Sequence, residues 1–168
     1  MQKGGGRNKP LKAIARMEPV PTLTTGNATA KRAAAILVAK QIGFILPTPK
    51  QRQNLLIAFV KKNMVVYGRA FDIVKLLGEV DLDDLASVEK NLGKIRIYEI
   101  KSTNKKLAPD FSKYFFGISA AEVLVAQSLK GYFKFIFVNI HTGDFLEMDL
   151  AQMFARARGI YPSWSIMF

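Results

Sequence analysis

Ile95-Arg96-Ile97-Tyr98-Glu99-Ile100-Lys101-Ser102 is the stretch whose reading decides the fold. Its β-branched and aromatic residues alternate with polar ones behind Gly93, the pattern of a strand. Alternation places Ile95, Ile97, Glu99 and Lys101 on one face. Downstream, Ser119-Ala120-Ala121-Glu122 forms a capping box, and residues 123–129 continue it as a buried helix up to Lys130 and Gly131. Residues 132–140 follow as an apolar strand in which Phe133, Phe135 and Phe137 alternate as a core face does. His141-Thr142-Gly143-Asp144 turns it into a short strand at 145–148, and Asp149 caps a last helix to Arg158. Upstream, residues 81–92 read as a short helix or an acidic loop, and 64–67 with 70–77 as a strand pair or one bent strand, broken at Gly68. Thr48-Pro49-Lys50-Gln51 is a second capping box that opens a helix over 49–62, with Leu55, Leu56, Phe59 and Val60 as its apolar stripe. An alanine-rich helix over 29–42 precedes it, ending at a Gly43 cap. Helix, strands, helix, strand, helix is the order of an α/β domain with a mixed sheet. No internal repeat is visible.

Composition narrows the function classes. The chain has 168 residues, 49% of them hydrophobic, enough for one domain with a core. It has no cysteine, which excludes disulfides, thiolate zinc sites and a cysteine nucleophile. Its single histidine, His141, excludes any site needing two imidazoles and reads as a surface turn residue. The net charge is +12, and residues 1–62 carry twelve of the 25 Lys/Arg against a single acid, Glu18. Such an imbalance points to a polyanion, nucleic acid first and an anionic membrane face after it. Residues 1–27, glycine- and proline-rich at the start, read as a mobile basic arm, and 28–168 as a single domain. A transit peptide fits less well, because the first serine is Ser87. No window of about 18 apolar residues exists, so no membrane span is expected, and the cytoplasm is the expected location.

Glu99 and Lys101 project together from the end of an apolar strand, where unpaired charges are costly. A mutual salt bridge would meet that cost without any function. Asp72, in Phe71-Asp72-Ile73-Val74, is a second acid among strand-forming residues, 27 positions before Glu99. If their strands are neighbours, two carboxylates meet at one edge of the sheet beside Lys101. Oxygen ligands of this kind suit Mg²⁺, which takes one or two carboxylates together with substrate phosphate oxygens. The corresponding chemistry is metal-assisted phosphodiester hydrolysis, with Lys101 holding the attacking water or neutralising charge in the transition state.

At these residues the chain resembles the PD-(D/E)xK nuclease superfamily, the restriction-endonuclease-like fold. Asp72 in a hydrophobic segment, Glu99-Ile100-Lys101 on the next long strand, then the helix and the aromatic strand carry the resemblance, over roughly residues 49–148. It implies a mixed central β-sheet flanked by helices, with Asp72, Glu99 and the Ile100 carbonyl as Mg²⁺ ligands, Mn²⁺ expected to substitute, and Lys101 as the catalytic lysine. Phe71 stands where the family name has proline, and the helix over 49–62 has no acid where many members place a glutamate. The implied activity is DNA endonuclease, restriction-type on duplex DNA, with a Holliday junction resolvase or a repair nuclease as the alternative. A homodimer or higher homo-oligomer would cut both strands.

Around this centre, Lys50, Arg52, Arg69, Ser102, Thr103, Asn104, Lys105 and Lys106 are the expected nucleic-acid contacts, being the residue types that meet phosphate oxygens. Glu122 and Gln127 are candidates for a supporting role, with helix capping as the competing role for Glu122. Glu79, Asp81, Asp83 and Asp84 are alternative first ligands, or a solvated helix start. Thirteen of the eighteen aromatics lie between Phe111 and Phe168, and the tail from Gly159, with Trp164 and Phe168, suits an oligomer contact. From another class, a non-catalytic basic nucleic-acid-binding protein explains the charge equally well. Deleting residues 1–21, which hold five bases, should weaken DNA binding and flatten the plot of log affinity against log salt by at most about 4.5, measured by titration at several salt concentrations.

Overall fold

The computed structural model describes residues 23–64, 66 and 71–161. Arg69, residues 65 and 67 of the expected 64–67 strand, residues 1–22 of the expected arm and residues 162–168 of the expected oligomer-contact tail lie outside these residues. The elements are α1 (Leu23–Ala39), β1 (Phe44–Ile45), α2 (Pro49–Lys61), β2 (Ile73–Leu76), α3 (Leu85–Lys90), β3 (Ile95–Thr103), α4 (Ala120–Leu129), β4 (Phe133–Asn139), β5 (Phe145–Met148) and α5 (Leu150–Arg156). Five strands form one sheet in the order β1-β2-β3-β4-β5. β1, β2 and β3 pair antiparallel, β4 runs parallel to β3, and β5 returns antiparallel. The parallel step follows from the connection: α4 carries the chain back to the start of the sheet, as a parallel crossover requires. The α/β class with a mixed sheet is therefore present.

Both faces are covered, which is why β4 reads as a continuous apolar run rather than an alternating one. On one face Ile73, Tyr98, Ile100, Ile136 and Val138 pack under Ala33, Ala34 and Leu37 of α1. On the other, Ile95, Ile97, Phe133, Phe135 and Phe137 pack with Leu55 and Phe59 of α2, Val88 of α3, Val125 and Leu129 of α4, and Met153 of α5. The helix starts follow from their caps. The Thr48 and Ser119 boxes are both closed, and Asp149 closes a third with Gln152.

Several boundaries differ from the sequence reading, the expected 81–92 helix among them, which is confined to Leu85–Lys90. α1 starts at Leu23 and stops at Ala39, so Gly43 is not its cap. Gly43 has φ +89°, and a Cβ there would lie 2.4 Å from the Leu76 carbonyl oxygen. Its role is the close approach of β1 to β2, where Leu76 N–H donates to the Gly43 carbonyl at 2.9 Å. β1, only two residues long, leaves no periodicity to read. β2 is confined to four residues, so Asp72 lies just outside its strand. The 132–140 strand begins at Phe133 because Lys130–Tyr132 make a 3₁₀ turn with Lys130 at φ 48°, and α5 ends at Arg156 rather than Arg158. Among the described residues no helix is long and apolar enough to cross a membrane.

Gly43→Ala should destabilise the fold by about 2 kcal/mol or more, because both the positive φ and the backbone contact oppose a side chain. Urea unfolding of the variant beside wild type measures the loss.

Candidate active site

Antiparallel pairing sets Ile73 opposite Tyr98, and the Asp72 N–H donates to the Tyr98 carbonyl at 2.7 Å. One step further the partner strand has ended, and the Asp72 side chain takes its place: Oδ2 accepts from the Ile100 N–H at 2.9 Å. In an extended strand the N–H and C=O of one residue face the same neighbour, so the Ile100 carbonyl is directed to the Asp72 side too. Phe71 fixes the approach. It is buried, its carbonyl accepts from Arg52 Nη1 at 2.7 Å, and the guanidinium stacks 4.2 Å from its ring centroid.

Glu99 and Lys101 leave β3 on the face shared with Ile95 and Ile97, toward α4. The Lys101 ammonium donates to Glu99 Oε1 at 3.2 Å and to Glu122 Oε2 at 2.8 Å. Glu122 Oε2 also accepts from the Ser119 N–H at 2.9 Å, while Ser119 Oγ accepts from the Glu122 N–H. One carboxylate thus caps α4 and anchors the lysine; the two roles are compatible. These three side chains are only 12–15% exposed. The alternative acids sit elsewhere. β2 runs against β3, so the loop after it lies at the start of β3, where Leu77 N–H meets the Lys94 carbonyl, five residues or about 17 Å from Glu99. There Asp84 caps α3 and Asp83 accepts from Gln51.

Burial, the nearby Asp72 carboxylate and Glu122 push the Glu99 carboxyl up to about 8, against the pull of Lys101. Burial also raises Asp72, against the Ile100 N–H and Lys101. Burial acts upward on Glu122 as well, but Lys101 and its hydrogen bonds outweigh it and hold that carboxyl below its usual range. Three acids therefore face two cations, the Lys101 ammonium and the Arg52 guanidinium that acts on Asp72, and the one surplus charge is met by a retained proton on Glu99. A hard divalent cation fits this donor set, since oxygen ligands and unneutralised carboxylate are what Mg²⁺ requires. Among the described residues no three His, Cys, Asp or Glu side chains are spaced as an ion cage. The holders would be Asp72, Glu99 and the Ile100 carbonyl, with water and substrate oxygens completing the shell.

No family model, curated protein or solved structure matches this chain.

Beyond the end of β3, Asn104, Lys105 and Lys106 are exposed, as is Lys50 at the start of α2. Thr103 is buried, its hydroxyl accepting from the Lys105 N–H at 3.1 Å, and the Ser102 carbonyl accepts from the Tyr114 hydroxyl at 2.7 Å. Asn139 Nδ2 donates to the Lys105 carbonyl at 3.1 Å. Tyr114 and Asn139 therefore hold the basic loop in place, a role the sequence reading missed; the one signal was polar Asn139 closing the apolar run 135–138 of β4. Gln127 is exposed and lies about 140° around α4 from Glu122, so it is not brought to the cluster. His141 is exposed in its turn.

The raised Glu99 carboxyl makes stability pH-dependent with a defined sign. The folded protein keeps a proton that the unfolded chain loses above its ordinary value of 4.5, so stability falls as pH rises from there to about 8. In metal-free buffer Glu99→Gln should match wild type below pH 4.5 and exceed it by roughly 2 kcal/mol or more above pH 8. Urea midpoints across this range check it.

Proposed function

We propose that this protein is a Mg²⁺-dependent endonuclease that hydrolyses phosphodiester bonds in DNA, with restriction-type cutting of duplex DNA as the leading activity. The observation that carries this reading is the meeting of three carboxylates from three separate elements with two cations: Glu99 and Glu122 bond the Lys101 ammonium, while Asp72 lies beside Glu99 and within the field of Lys101 and Arg52. A purely structural ion pair needs one acid for one base. A partly buried cluster with surplus carboxylate is costly unless a cation is part of its working state. The order of parts also agrees with the resemblance: an acid ahead of a strand, an E-x-K strand beside it, a helix, then a parallel strand.

In this mechanism Asp72, Glu99 and the Ile100 carbonyl would hold Mg²⁺, which when bound would lower the pKa of water and offset charge on the phosphate. Glu99 ligates only as a carboxylate, so loading near neutral pH releases the proton it otherwise keeps. Lys101, steadied by Glu122, orients the attacking water or neutralises the charge that builds on the phosphate oxygens. Asn104, Lys105, Lys106 and Lys50 grip the flanking backbone through charge rather than base identity. A dimer would present two such sites to two strands. Junction resolution or repair by the same chemistry would differ in the DNA shape accepted.

A second reading has one observation in its favour. Lys101 is paired twice, and no buried side-chain nitrogen or oxygen among the described residues lacks a partner. On that reading the cluster is structural and the protein only binds nucleic acid.

Plasmid, linear duplex and branched DNA incubated with Mg²⁺ separate the two. Wild type should cut, Lys101→Ala and Asp72→Asn should lose at least ~100-fold in rate, and both variants should still bind. Absence of cutting by wild type, or cutting that survives both substitutions, overturns the nuclease reading.

A further inference from the structure

A cavity of about 240 Å³ opens on the other side of Asp72, walled by Ala30, Lys31 and Ala34 of α1, by Leu46 just after β1, and by Asp72 itself. Its origin is sequence-encoded. α1 packs on β3 through Ala33 and Ala34, small side chains that let the helix lie close. Ala30 and Ala34, one turn apart, leave a shallow apolar wall instead of a filled one. Asp72 is therefore reached from two directions, from the Glu99 and Lys101 cluster and from this cavity.

The lining selects the ligand. The cavity is smaller than the roughly 300–1,000 Å³ that encloses a whole small molecule, so it suits a segment of a longer chain. Among the described residues its one cation is Lys31, which is exposed, and no ion pair joins it to the carboxylate it shares the cavity with. An ammonium on one wall, small apolar surface beside it and the candidate metal ligand on the other match an anionic group, an apolar body and a reacting phosphate in series.

We infer that this cavity is a subsite for one backbone segment of the DNA, in which Lys31 holds a non-bridging oxygen of the phosphate next to the scissile one and Ala30, Ala34 and Leu46 line the adjoining sugar. The subsite rests on the nuclease reading, because Asp72 marks the position of the reacting phosphate. In the absence of a divalent cation the Asp72 carboxylate opposes the phosphate that Lys31 attracts, so the two side chains act on one group.

A double-mutant cycle reads this directly. Binding of a fluorescently labelled duplex oligonucleotide is titrated without divalent metal for wild type, Lys31→Ala, Asp72→Asn and the double variant. Lys40→Ala serves as control, since Lys40 lies past the end of α1 with its ammonium over the Phe145 ring. Lys31→Ala should weaken binding by roughly fivefold and lower the slope of log affinity against log salt by about 0.9, the loss of one phosphate contact. Asp72→Asn should tighten binding about threefold in wild type and in Lys40→Ala, but hardly at all in Lys31→Ala. Additive effects of the Lys31 and Asp72 substitutions, or unchanged binding by Lys31→Ala, overturn the subsite. A protein that shows the coupling yet never cuts DNA with Mg²⁺ keeps Lys31 and Asp72 on one backbone phosphate but overturns both the nuclease reading and the placing of that phosphate beside a scissile one.

Discussion

β3 is paired on both edges and covered on both faces, so any charge it carries must be met within a few ångströms. That constraint governs the molecule. Glu99 and Lys101 occupy the end of this enclosed strand, and the surrounding elements end where they supply compensation. α4 starts at Ala120, and Glu122 in its first turn reaches the lysine, while β2 gives out where Asp72 bonds the Ile100 amide. Remove any one partner and a partly buried charge is left, which costs more than the pair itself contributes.

The two faces of the sheet divide the work. The face under α2, α3, α4 and α5 holds most of the large aromatic side chains and makes the rigid platform from which Glu99 and Lys101 project. The α1 face is made with smaller residues, and the gap they leave beside Asp72 gives that carboxylate an open side. The exposed lysines after β3 put positive charge beyond the end of the strand, on a loop held by Tyr114 and Asn139.

Some of this was legible in the residues and some was not. The E-x-K strand, α4 and its capping box, β4, β5 and α2 follow from local patterns, each set by neighbours within about four positions. Gly43 was misread as a helix cap because its real constraint, the Leu76 carbonyl, is 33 residues away. β1 was missed because two residues have no period. The dual role of Glu122 was hidden for the same reason: capping depends on Ser119, three residues before it, whereas the bond to Lys101 spans 21 residues.

By itself the sequence determined the α/β class, the basic first third, the exclusion of thiol and multi-histidine chemistry, and the shared face of Glu99 and Lys101, since composition and period are local properties. Only the tertiary structure decided which acid joins them. Asp72 does so, and Glu79, Asp81, Asp83 and Asp84 do not, because the antiparallel direction of β2 carries one end of its segment to the cluster and the other end away from it. The raised Glu99 carboxyl and the cavity beside Asp72 belong to the same level. Both arise from burial and from the meeting of side chains far apart in the chain, which no local spacing encodes.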